Sequence, residues 1–151
     1  MRLLPIVLVP VLALAGCTQA ATPAPAPARS GCGSPVDNGE LPEWARGGFT
    51  GSSAAPHVLG DRGEIVAVLF GQPLTADRAD GRSNKVLWVA KAESTPGDLV
   101  IDATLDGTGE TARRTVTGGP GPSILDLPRA GCWRLRLDWP GRHDTLDLSY
   151  R

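Results

Sequence analysis

His57 and His143 are the only histidines in the chain, so any general base working near neutral pH, or any imidazole metal ligand, must be one of these two. His143 lies in Arg142-His143-Asp144, directly after Pro140-Gly141, a pair that signals a turn. A triad of Ser123, His143 and Asp144 can be drawn on paper. Adjacent residues in a strand point to opposite faces, however, and no Gly-x-Ser-x-Gly elbow is present. Arg142 and His143 therefore read as a solvated hairpin tip and as the candidate surface for meeting a partner. Trp139 beside them could add an aromatic contact, although its parity assigns it to the core.

The run Asp77-Arg78-Ala79-Asp80-Gly81-Arg82-Ser83-Asn84 holds several hard oxygens, but its spacing is not that of an EF-hand, and two arginines repel a cation. An Asp-Gly turn between strands is the expectation there. Asp106-Gly107-Thr108-Gly109-Glu110 carries a Gly-x-Gly that leads into strand-like sequence, whereas a phosphate loop must open a helix. It too reads as a turn. No metal site and no cofactor is expected. Paired carboxylates for glycoside hydrolysis depend on spatial separation, so a small hydrolase of cell-wall or extracellular polymer stays open as the alternative to a non-catalytic protein.

Ahead of these residues stand Arg2 and an apolar run from Leu3 to Ala15, shorter than the ~20 residues that span a bilayer and suited to an export signal. The run closes on Leu14-Ala15-Gly16-Cys17, which resembles the lipobox of bacterial lipoproteins. That resemblance implies removal of residues 1–16 as a signal peptide and a diacylglyceryl group on the Cys17 sulfur. It also implies a lipid anchor holding the mature chain to the extracytoplasmic face of the cell membrane. The other possibility is an ordinary secretory signal cut near Ala20-Ala21. Two or three acyl chains, at roughly 0.8 kcal/mol per buried CH₂, would make a durable anchor. Loss of Arg2 takes the side-chain balance from −1 to −2, so no basic patch assists it.

From Cys17 to Ser30 the alternating Pro and Ala of Thr-Pro-Ala-Pro-Ala-Pro-Ala favour extended polyproline geometry and give nothing to bury, which marks residues 17–30 as the lipidated cysteine and a linker. At ~3.1 Å per residue it could lift the rest of the chain roughly 30 to 40 Å. The remaining cysteines, Cys32 and Cys132, would then lie in an oxidising compartment. No Cys-x-x-Cys or His spacing supports a metal site, and no activating base adjoins either thiol. A Cys32–Cys132 disulfide is expected. It would close a loop of 100 residues.

What must position these residues is bounded by composition. The chain has 151 residues, 41% hydrophobic and 21% charged, with 19 Gly and 14 Pro, enough for one domain and too turn-rich for long helices. A net charge of −1 gives no footprint for nucleic acid. Leu41-Pro42-Glu43-Trp44-Ala45-Arg46 followed by Gly47-Gly48 describes one or two helical turns, with Leu41 and Trp44 plugging an end of the core. After Gly60 come short β-branched runs: Glu64 to Phe70, Asn84 to Lys91, Leu99 to Leu105, Thr111 to Val116, Ser123 to Leu127, Gly131 to Trp139 and Asp144 to Tyr150.

The first two of these runs are apolar nearly throughout, as strands covered on both faces would be. The polar Thr111 run reads as an edge. In the last two, Trp133, Leu135, Leu137 and Trp139 share one face, and Leu146, Leu148 and Tyr150 share another, so a hairpin is expected. Its outer face would carry Arg134, Arg136, Asp138 and Asp147, and Cys132 shares the parity of the arginines.

About seven strands in residues 31–151 predict an all-β domain, an immunoglobulin-like antiparallel β-sandwich. The antibody-type pattern itself is absent, since Trp88 lies far beyond Cys32 and Ala130, not Tyr, stands two before Cys132. Asn84-Lys85-Val86-Leu87-Trp88-Val89, Pro122-Ser123-Ile124-Leu125-Asp126-Leu127-Pro128 and Gly131-Cys132-Trp133-Arg134-Leu135 look like stretches of uncharacterised lipoproteins from high-GC bacteria. That resemblance implies no activity. The functional expectation is a membrane-anchored, non-catalytic module that binds or positions another protein or polymer of the envelope.

Overall fold

The structure, a computed structural model, describes residues 32–76, 81–92 and 95–151. Cys17, the signal segment, the linker and residues 77–80 of the Asp-Gly turn lie outside the described residues. In chain order the strands are β1 (His57–Leu59), β2 (Ile65–Leu69), β3 (Lys85–Ala90), β4 (Leu99–Leu105), β5 (Thr111–Val116), β6 (Pro122–Ile124), β7 (Gly131–Trp139) and β8 (Arg142–Tyr150). They form two antiparallel four-stranded sheets, ordered β1-β2-β3-β6 and β5-β4-β7-β8. Without β1, the arrangement β2-β3-β6 against β5-β4-β7-β8 is that of a seven-stranded immunoglobulin-like sandwich.

The period-two pattern fixes which faces meet. Trp133, Leu135, Leu137 and Trp139 of β7, Leu146, Leu148 and Tyr150 of β8, and Leu99, Ile101, Ala103 and Leu105 of β4 are all buried. They pack against Ile65, Ala67 and Leu69 of β2 and Val86 and Trp88 of β3. Each large aliphatic side chain so buried contributes about 1.5–3 kcal/mol. The Thr111–Val116 strand is an edge, as its polarity predicted.

Four differences from the sequence reading have physical reasons. An eighth strand, β1, is only three residues long and begins on a histidine, too short to show a period. The expected strand at Ser123 to Leu127 leaves the ladder after Ile124, while Leu125 and Leu127 still turn into the core. β8 begins at Arg142, because Trp139 pairs with Arg142 across a two-residue turn in which Gly141 has φ +74°, a conformation glycine adopts without strain.

The fourth difference concerns Leu41 and Trp44. They do not plug the inter-sheet core. Leu41 and Ala45 instead form a second buried cluster with Val66 and Val68 on the outer face of the first sheet, flanked by Trp44, Phe49, Leu87 and Val89. The helix there is a single 3₁₀ turn, Glu43–Ala45, with Ala45 N donating to Pro42 O at 2.8 Å. β2 is therefore buried on both faces.

Cys32 and Cys132 are bonded, with Cα atoms 5.2 Å apart, within the usual range for a bridge. The next residues continue across the sheet: Gly33 N donates to Asp147 Oδ2 at 3.0 Å, and Asp147 N donates to Ser34 Oγ at 2.8 Å. This explains a further correction. Asp147, expected on an exposed ladder, is only 5% exposed, because the N-terminal segment lies over it and Arg134 pairs with it at 3.1 Å.

Tyr150 ties the two sheets together at the chain's end, its hydroxyl donating to Leu125 O. Burial pushes its pKa well above the ordinary 10.0, the Asp126 carboxylate adds to the rise, and Arg114 opposes it. The raised value stabilises the fold fully below pH ~10 and less as pH climbs past it, since the unfolded chain then releases a proton that the folded one keeps. Tyr150 is the only tyrosine. Tyr150→Phe is expected to cost about 1 kcal/mol at pH 7 and to flatten the loss of stability above pH ~10 relative to wild type. Urea midpoints at pH 7 and across the alkaline limb check both effects.

Candidate functional site

β7 carries the disulfide at one end and leads to the hairpin tip at the other. Cys132 is its second residue, and Trp139, its last, pairs with Arg142. At ~3.4 Å per residue the strand holds the tip roughly 25 Å from the bridge. The tip residues predicted as a candidate surface are brought together with the loop before β2: Arg142 pairs with Glu64, and Arg62 donates to Nε2 of His143. With Gly141 they line a shallow cleft of about 440 Å³. Both Arg142 and His143 are exposed.

Asp144, the next residue, is the support that sequence reasoning missed. It is completely buried. Its carboxylate accepts from the backbone N–H of Arg62 at 2.9 Å, Glu64 at 2.9 Å and Thr145 at 2.7 Å. Gly60 makes room for it, since a Cβ there would stand 2.3 Å from Oδ2. The signal was its parity, shared with Leu146 and Leu148, which sends the side chain inward. Asp144 thus fastens the loop that presents Arg62 and Glu64 to the tip.

The Ser123–His143–Asp144 arrangement is not assembled. Ser123 Oγ accepts from Trp88 Nε1 at 2.9 Å in the first sheet, while His143 sits at the tip of a hairpin in the second. The Asp106–Glu110 segment is a turn, closed by Leu105 N donating to Glu110 O at 2.8 Å.

A second cleft, of about 480 Å³, lies where residues 35–46 pass β1, lined by Pro35, Asp37, Glu40, Leu41, Pro42, Arg46, His57 and Leu59 together with Gly60. Val58 points into the inter-sheet core, so the alternation of β1 sends His57 and Leu59 to this opposite side. His57 is 4% exposed, and its Nδ1 meets Ala55 O at 2.8 Å. Glu40 accepts from the Ser53 and Ser52 hydroxyls. The Ser53 bond first, then the Ser52 bond and the charge of Arg46, hold its carboxyl below the usual carboxylate range against the opposing effect of desolvation. Nothing in the isolated sequence marked this site, because its residues come from two segments that meet through long-range pairing, including the Asp37–His57 and Glu40–Ala54 bridges.

A third feature is apolar. Phe70 and Ile124, 60% and 55% exposed, flank Lys85 and Pro122 on the outer face of the first sheet, beyond the reach of the Leu41–Ala45 cover.

No protein-family model, no curated protein and no solved structure matches the chain.

Proposed function

We propose that the chain is a lipoprotein anchored through Cys17 to the extracytoplasmic face of the cell membrane. Its β-sandwich is a non-catalytic module that binds or positions a protein or polymer of the envelope. The observation that supports this reading is the placement of the bridge: Cys32, where the linker meets the domain, is tied to the start of β7, and the Arg142–His143 tip stands at the far end of the same hairpin. A tether entering at one end presents the other end outward. The tip is rigidly backed, by Asp144 beneath it and by the Arg142–Glu64 pair beside it, and a pre-organised surface loses less freedom on binding.

Photo-crosslinking in cells tests the orientation and the binding together, with the crosslinking residue placed at His143 or, as a control, at Asp106, whose N–H donates to Cys132 O at 2.8 Å beside the bridge. A discrete adduct from position 143 and none from 106 is expected. No adduct from 143, or the same adducts from both, overturns the reading. The anchor has its own check. Cys17→Ser is expected to abolish incorporation of labelled fatty acid and to release the protein from the membrane fraction, and continued labelling rejects it.

A further inference from the structure

We propose that Phe70, Pro122 and Ile124, with Lys85 among them, form a second membrane contact, which seats the domain on an anionic lipid surface beside the anchor. Phe70 and Ile124 are the two most exposed large apolar side chains among the described residues, at 60% and 55%, and they line one open cleft of about 520 Å³. Strand parity explains why they sit outside. Leu69 and Leu125, their chain neighbours, turn into the core, so Phe70 and Ile124 point away from it. Lys85 pairs with Ile124 across β3 and β6, and its O accepts from Phe70 N at 3.1 Å, which keeps the lysine beside both apolar groups.

Charge says what covers them. Lys85 is exposed, and Arg82 lines the adjoining cleft, which also has Phe70 and Lys85 in its wall. Among the described residues, no carboxylate lines either cleft. The chain's negative balance hid this, because a total does not show which charges share a face. Apolar side chains flanked by cations suit the boundary between acyl chains and anionic headgroups. A second copy of the chain fits less well, since a stable interface takes roughly 20–30 residues a side, and in a two-fold pairing of this face Lys85 would meet like charge.

Position agrees. Tyr150 donates from its hydroxyl to Leu125 O, next to Ile124, and pairs across β7 with Gly131, next to Cys132. Leu74, shortly after Phe70, bridges to the same Tyr150. The patch therefore lies at the end of the sandwich that holds the Cys32–Cys132 bridge, opposite the Arg142–His143 tip. This contact deepens the anchored reading and rests on it: a domain already held to the membrane meets its surface at high effective concentration, so a few side chains suffice.

Photo-crosslinking on vesicles tests the contact, with benzoylphenylalanine at Phe70 or, as a control, at Leu59, a 45% exposed leucine on the opposite edge strand. The vesicles are phosphatidylcholine alone or an equal mixture with phosphatidylglycerol, and the protein is used as extracted from cell membranes. Its intact mass reads the anchor. At millimolar lipid the comparison of the two positions does not need the anchor, so the two readings fail separately. Lipid adducts are expected from position 70 on the mixed vesicles, several times more than from 59, and several times fewer on phosphatidylcholine alone. Lys85→Gln is expected to lower the yield from 70 about fivefold, the worth of one basic residue near an anionic surface. Equal yields from 70 and 59, or no dependence on phosphatidylglycerol, overturn the contact. Adducts between copies of the chain from position 70 mark a self-association face and overturn it too. If Lys85→Gln fails to fold, the two vesicle compositions still decide with the unsubstituted lysine.

Discussion

Asp144→Ala is expected to destabilise the domain by roughly 3–5 kcal/mol, because each backbone donor left unpaired in the interior costs about 1–3 kcal/mol. Three backbone N–H groups, those of Arg62, Glu64 and Thr145, would lose their acceptor, and a residue with no exposure would leave a cavity. Gly60→Ala attacks the same latch from the other side, because its new Cβ meets a carboxylate that three hydrogen bonds prevent from moving. The two changes should couple. In Asp144→Ala the obstacle at Gly60 is gone, so the double variant is expected to be less destabilised than the sum of the singles. Equilibrium urea unfolding of the four proteins measures this. Additive effects, or a loss below about 1 kcal/mol for Asp144→Ala, would mean that the loop is held by something else.

Removing the bridge with Cys32→Ala and Cys132→Ala is the other large effect. For a separation of 100 residues the chain-entropy model assigns about 4.7 kcal/mol to the cross-link. The consequence is also positional. Without the bond, residues 32–34 keep the Gly33 and Ser34 hydrogen bonds to Asp147, and the next paired residue is Asp37, bridged to His57 on the first sheet. Under the proposed anchoring, a pull from the N-terminal side would then fall on β1 at a sheet edge instead of on β7 in the interior of the second sheet. The expected result is a fall in the unfolding midpoint of the unreduced protein that reduction of the wild type reproduces. A double variant as stable as the unreduced wild type would contradict it.

The hairpin of β7 and β8 was legible in the sequence because Trp133 to Trp139 and Leu146 to Tyr150 alternate without interruption, and the same parity placed Cys132 outside the core, where the bridge is found. Asp144 was equally legible by parity, yet a carboxylate beside a histidine at a turn suggests solvent, and only the three inward N–H donors of a distant loop justify its burial. Asp147 misled for the opposite reason. Its alternation assigned an outer face, and the cover came from Gly33 and Ser34, more than a hundred residues away in the chain. β1 and the His57 cleft were hidden for the same cause: three residues carry no period, and Asp37, Glu40 and His57 meet only through long-range pairing. Local pattern specified the strands after β1. What it left open was where polar groups find partners across the chain.

The most direct measurement of the whole account is the intact mass of the unreduced protein extracted from cell membranes. A chain beginning at Cys17, heavier by its acyl groups and lighter by the two hydrogens of the Cys32–Cys132 bond, is the predicted result. An unacylated chain beginning at any other residue would contradict it.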